Sequence, residues 1–119
     1  MSIKNIAVFA SGSGSNFIAI HNHIISGKIK GDIKLLISDN STAGAVSYAN
    51  RNRIPVFIIK RCEFSSYQGY TEMLLGQLKK IKIDLIVLAG YLKKIPEKIV
   101  VSFYQKILNI LPSLLPKYG

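Results

Sequence analysis

A chain of 119 residues is enough for one domain, and 49% hydrophobic against 18% charged residues is the profile of a folded chain, which excludes intrinsic disorder. The formal charge of +10, from 16 Lys and Arg against 6 Asp and Glu, invites an anionic ligand or a nucleic acid. The cations are dispersed (Lys28, Lys30, Lys34, Lys79, Lys80, Lys82, Lys93, Lys94) with no aromatics interleaved, which argues for a solvated surface and against a nucleic-acid partner.

Residues 3–10 read as a buried strand, because the apolar run is nearly continuous. A Gly- and Ser-rich turn follows, and residues 15–26 read as a helix with Phe17, Ile20, His21 and Ile24 on one face and Gly27 as its stop. Residues 33–38 are the second strand, and Asp39-Asn40-Ser41 is a loop at its C-terminal end. Thr42 is positioned to cap a helix running to about Arg53, with Ala43, Val46 and Ala49 at helical spacing. Pro55 opens a third strand over 56–59, and residues 64–81 carry a longer helix with Tyr67, Tyr70, Met73, Leu74 and Leu78 as its apolar face. Residues 85–89 are the fourth strand, ending at Gly90; a loop over 91–95 leads to Pro96 as a helix N1 residue. A helix over 97–104 and a fifth strand over 106–110 complete the alternation.

Alternating strands and helices predict an α/β fold: a doubly wound, Rossmann-like, mostly parallel sheet with helices on both faces. Ligands of such sheets bind beyond the C-terminal strand ends, where the first turn, Asp39, residues 90–95 and the segment after Ile110 would gather. The lone Cys62 excludes an internal disulfide and has no metal-ligand spacing around it, so no metal is expected. A single thiol, no signal-peptide core and no apolar stretch of spanning length predict a cytoplasmic chain with no membrane partner.

Ser11-Gly12-Ser13-Gly14-Ser15-Asn16 sits between a strand and a helix, the arrangement that cradles phosphate on free N–H groups and a favourable helix dipole. An ordinary tight turn, with Ser15 or Asn16 capping the helix, is the plain alternative. A dinucleotide fingerprint needs a third glycine where Phe17 stands, although Asp39 supplies the acidic residue near the end of strand two. A P-loop is excluded, since no Gly-Lys-Ser/Thr follows. His21 and His23 diverge by about 200° on a helix and make no metal pair; His21 reads as a half-buried helix residue. Asp84 lies at the wrong end of its strand, and Lys93 and Lys94 fit either a solvated loop or an acidic ligand.

The most specific segment is Asn109-Ile110-Leu111-Pro112-Ser113-Leu114-Leu115-Pro116, which resembles the Asn-Ile-His-Pro-Ser-Leu-Leu-Pro motif of folate-dependent formyltransferases. Methionyl-tRNA formyltransferases and formyltetrahydrofolate deformylases share that motif but differ in the first turn. Together with residues 11–16 and Leu-Ala-Gly-Tyr-Leu-Lys-Lys-Ile-Pro at 88–96, the chain resembles the phosphoribosylglycinamide formyltransferases of purine biosynthesis, as a single, incomplete N-terminal domain over 1–119. The resemblance implies transfer of a formyl group from 10-formyltetrahydrofolate, as co-substrate, to the amine of glycinamide ribotide. It implies substrate phosphate on Gly14, Ser15 and Asn16, and a folate pocket bordered by Leu92, Lys93, Lys94 and Ile95 with apolar walls from Leu88, Val100 and Ile107. Tyr67 falls where the family often has a basic residue touching folate, and Asn109 would hydrogen-bond the formyl oxygen.

Two departures follow from the same resemblance. The catalytic His position is Leu111, which can neither donate to an oxyanion nor carry a proton; loss of one such donor costs about 10²–10³ in rate. The family's catalytic Asp and last strands would lie beyond Gly119, so the chain is expected to be shortened, nearly inactive, and prone to self-association through an uncovered sheet. Rival readings are a non-catalytic phosphate- or ribotide-binding remnant, one half of a split enzyme, and, ranked last, a basic nucleic-acid-binding domain.

Overall fold

The computed structural model of the chain describes residues 3–110. Five strands form one sheet: β1 (Lys4–Phe9), β2 (Gly31–Ser38), β3 (Val56–Ile58), β4 (Leu85–Ala89) and β5 (Ile107–Ile110), in the order β3-β2-β1-β4-β5. Every pairing is parallel. Four α-helices connect them: α1 (Ser15–Ile25), α2 (Gly44–Arg51), α3 (Tyr67–Lys80) and α4 (Glu97–Ser102).

The apolar run of β1 explains why both faces need cover. Ile6, Val8 and Ala10 point into a cluster with Phe17 and Ile20 of α1 and Val46 and Ala49 of α2. Ala7 and Phe9 point the other way, into a cluster with Tyr70, Leu74 and Leu78 of α3 and Ile99 of α4. A strand with apolar side chains on both faces is stable only between two helical layers, so the unbroken apolar run from Ile6 to Phe9 is itself the doubly wound signature. All four β1 residues from Ile6 to Phe9 are essentially inaccessible to solvent.

Local chemistry sets the helix ends, and it differs from the sequence expectation at several of them. Thr42 does not cap α2. Its amide and hydroxyl both donate to Asn40 Oδ1, at 3.0 and 2.8 Å, closing the loop after β2, and Ala43 takes the N-cap position with no side-chain bond. Pro96 is the N-cap of α4 and not its first helical residue. Helix α3 begins at Tyr67, three residues later than expected, because Ser66 Oγ accepts from the Gly69 amide at 3.0 Å and fixes the start. A short 3₁₀ turn, Arg61–Glu63, occupies the residues before it. The buried face of α3 is Tyr70, Thr71, Leu74, Leu75 and Leu78; Tyr67 and Met73 are 46% and 51% exposed.

From β1 the chain builds outward through β2 to β3, then returns to place β4 on the other side of β1. The loops after β1 and β4 therefore diverge at the C-terminal edge and leave a crevice between them, the position where open α/β sheets bind ligands. At the opposite edge of the sheet the Asn5 amide donates to Asp84 Oδ2 at 2.8 Å, so Asp84 ties strand starts together, far from that crevice. Among the described residues β5 pairs only with β4, and Leu108 on it is 51% exposed.

Candidate functional site

The turn after β1 is built around Gly14. Gly14 is the N-cap of α1 with φ 89, a left-handed conformation that strains any residue with a Cβ. A Cβ there would also stand 2.7 Å from the Cα of Ala45. The partner helix answers in kind: a Cβ on Gly44 would lie 2.5 Å from the Ser13 carbonyl oxygen, and the Ala45 amide donates to the Gly12 carbonyl at 3.3 Å. The turn is thus held against the start of α2 by backbone contacts that need small residues on both sides.

Neither Ser15 nor Asn16 caps α1. The N-cap makes no side-chain hydrogen bond, and the first turn of the helix carries no acidic residue. The Ile18 amide is the first to close the helical ladder, donating to the Gly14 carbonyl at 2.7 Å. The amides before it have no intrahelical partner, and an anion is the ligand that such a terminus favours. Gly14 is buried, Ser15 exposed and Asn16 half-buried, so the three residues form a shallow, donor-rich rim.

The second wall is the loop after β4. Gly90, at φ 71, turns the chain; a Cβ on it would come within 3.9 Å of Asn16 Nδ2. The Leu92 amide donates to Ser11 Oγ at 3.3 Å, which joins the loops after β1 and β4 directly. Tyr91 packs edge-on against Phe9, with ring centroids 5.2 Å apart. Burial pushes the Tyr91 phenol well above its ordinary value of 10.0, and its hydrogen bond with Tyr70 adds to the rise, so it stays protonated. Lys93 Nζ lies 3.9 Å from Asp39 Oδ2, linking the β4 loop to the end of β2.

A cavity of about 690 Å³ opens beside this loop, on the α3 side of the sheet. Asp39, Ile59, Tyr70, Tyr91 and the mouth residues Lys93 and Lys94 are among its lining, as is Tyr67. Of the residues expected at the folate pocket, the structure brings Tyr67, Lys93 and Lys94 together here. Leu88, Ile95 and Ile107 are partly buried against the α3/α4 core. Leu92 and Val100 are 85% and 43% exposed. Asn109 is exposed on β5, in register with Leu88 of β4, at the same C-terminal edge as the turn. Leu111 lies outside the described residues.

Sequence reasoning missed Gly44 and Ala45, and placed Ser11 in the turn without its bond to the β4 loop. The run Ala43-Gly44-Ala45 was a signal of close backbone approach, but it does not reveal its partner without the fold. His21 is the half-buried helix residue expected, with Nδ1 2.6 Å from the Tyr48 hydroxyl. Among the described residues no three His, Cys, Asp or Glu side chains are grouped to hold a metal ion.

The sequence profile of the family described as "Formyl transferase" matches residues 4–119. The chain is similar to the chloroplastic phosphoribosylglycinamide formyltransferase of Arabidopsis thaliana, 41% identical over 117 residues that cover 98% of this chain and 40% of that protein. It is 40% identical over 117 residues to the phosphoribosylglycinamide formyltransferase of Haemophilus influenzae, covering 98% of this chain and 55% of the relative. The crystal structure of the phosphoribosylglycinamide formyltransferase from Brucella melitensis superposes with a TM-score of 0.88 at 31% identity, over 98% of this chain and 61% of that one. The Bacillus halodurans protein of the same name gives 0.87 at 36% identity, over 97% and 59%. The chain thus spans roughly half the length of these relatives. It is a doubly wound α/β chain, and it belongs to the formyl transferase family.

Proposed function

We propose that the chain is the N-terminal domain, over 1–119, of a phosphoribosylglycinamide formyltransferase, and that its own catalysis is impaired. The observation that carries the reading is the start of α1. Gly14, Ser15 and Asn16 present backbone amides without a side-chain cap, beside the loop after β4, and that arrangement suits the phosphate of glycinamide ribotide.

A bound 10-formyltetrahydrofolate supplies the formyl group that the ribotide amine accepts. The residues present suit such a co-substrate: Lys93 and Lys94 can attract its carboxylates, and Tyr67 can pack on its planar ring. Leu92 and Ile95 border it through the loop backbone, with Leu88, Val100 and Ile107 as apolar contacts. Asn109 donates to the formyl oxygen, where negative charge develops as the amine attacks. A second donor that could also move a proton would come from a His at position 111. Leu111 offers neither function, which is why ribotide binding is expected to outlast turnover. Among the described residues no helix is long and apolar enough to cross a membrane, and the lone thiol, Cys62, suits a reducing, cytoplasmic setting.

The test is a formyl-transfer assay with glycinamide ribotide and 10-formyltetrahydrofolate. A rate at least about 10²-fold below that of a full-length relative is expected. Turnover equal to the relative's would overturn the claim of impairment. Failure to bind either ligand would overturn the assignment.

A further inference from the structure

The cavity and the phosphate turn are separate compartments. The turn packs on α2, through Gly14 against Ala45, on the α1/α2 face of the sheet. Tyr70, Ile59 and Tyr91 of the cavity belong to the core on the opposite, α3/α4 face. No residue of the turn lines the cavity. Its volume of about 690 Å³ falls in the range that takes a small organic ligand.

Its chemistry is specific. The acidic residue is Asp39, directly after the last residue of β2, where doubly wound sheets hydrogen-bond ribose hydroxyls. The Asp39 carboxylate is under-used. Oδ1 is buried with no hydrogen-bond partner among the described residues, and Oδ2 meets only Lys93, at 3.9 Å, beyond the 2.7–2.9 Å of a charge-assisted hydrogen bond. A carboxylate left in this state retains its capacity to accept from a ligand diol. Around it stand tyrosine rings, and four cations (Lys60, Arg61, Lys93, Lys94) face one carboxylate, a balance that favours an anion. Arg61 sits over the Tyr67 ring, 5.5 Å from its centroid, and its Nη1 donates to the Phe64 carbonyl at 3.1 Å.

We propose that this cavity, where the folate contacts were placed above, also takes a nucleoside 5′-monophosphate as an alternative occupant. The ribose 2′- and 3′-hydroxyls donate to Asp39, the base packs against Tyr67 and Tyr91, and the phosphate meets Arg61, Lys93 and Lys94. A mononucleotide fits better than a dinucleotide, because Phe17 replaces the third glycine of the dinucleotide turn and the turn does not open into the cavity. The nucleotide shares Tyr67, Lys93 and Lys94 with the folate contacts proposed above, so the two ligands exclude one another. The proposal stands on the cavity alone and does not depend on that reading.

Calorimetric titration of the full chain with adenosine 5′-monophosphate, its 2′-deoxy analogue and inorganic phosphate tests it. The ribonucleotide is expected to bind at or below about a millimolar, the 2′-deoxy analogue about tenfold more weakly, and inorganic phosphate more weakly still. Asp39→Ala should bring the ribo- and deoxyribonucleotides to the same affinity. Equal affinities for the two in the unaltered chain would overturn the proposal without need of a variant. So would nucleotide binding that is unchanged in Asp39→Ala, or no nucleotide binding at about ten millimolar.

Discussion

The Leu92 amide donates to Ser11 Oγ at 3.3 Å across the crevice between β1 and β4. Two loops separated by most of the chain are fixed to one another at the point where the strand order reverses. Ser11 therefore positions the β4 loop, although in sequence it reads as one more small residue of a turn. Ser11→Ala should cost about 0.5–1.5 kcal/mol in chemical denaturation. It should also speed hydrogen exchange at the Leu92 amide while leaving the Asn5 amide, held by Asp84 at the far edge, unchanged.

The three glycines near the turn have distinct jobs, and alanine substitution separates them. Gly14→Ala meets both a left-handed backbone and the Ala45 Cα at 2.7 Å, and should destabilise by about 2 kcal/mol or more. Gly44→Ala drives a methyl into the Ser13 carbonyl at 2.5 Å, and should shift the turn as well as destabilise it. Gly12→Ala has nothing within 4 Å and should stay within about 0.5 kcal/mol of the parent. Urea midpoints for the three variants check the order.

Much of this site was legible in the chain, for physical reasons that can be named. The double-sided apolar run of β1 admits only a strand between two helical layers, and Gly-Ser-Gly after it marks a turn that must bend tightly. The phosphate reading and the capping reading both fit Ser15 and Asn16; the observed cap, a left-handed glycine with no side-chain bond, removes the capping by those side chains. Thr42 was misjudged because Asn40 competes for it with a local turn, and a short polar side chain can satisfy either arrangement. Tyr67 and Met73 have the right spacing for the α3 core but lie at the flank of the buried stripe, which follows Tyr70, Leu74 and Leu78. The cavity was legible only in part: Asp39 and residues 90–95 were expected to gather at the strand ends, whereas Ile59 and Tyr70 are brought to them only by the sheet order.

Tyr91 gives the fold an alkaline limit. Its phenol is raised above its ordinary value of 10.0 by burial and by the Tyr70 hydrogen bond. Below pH 10 the group is protonated in both folded and unfolded chains and contributes no slope. Above it the unfolded phenol ionises while the folded one does not, so stability falls as pH rises. Tyr91→Phe, which removes the titrating phenol, should show a shallower decline between pH 10 and 11. Thermal melts of both proteins across that range decide it.

The edge of β5 should mediate self-association. Among the described residues it carries an unpaired backbone row, with Leu108 51% exposed on the strand, and such edges recruit other strands. Sedimentation velocity should show a concentration-dependent increase in mass, reduced by Leu108→Lys. A single monomeric species at all concentrations would remove the prediction.

The central claim is that the start of α1 holds the ribotide phosphate. Titration calorimetry of glycinamide ribotide into the chain and into Asn16→Asp tests it most directly, since the carboxylate would put negative charge where the phosphate is expected to sit. The account predicts saturable binding to the chain, weakened at least about tenfold by the substitution. No heat at millimolar ribotide, or equal binding by both proteins, would contradict it.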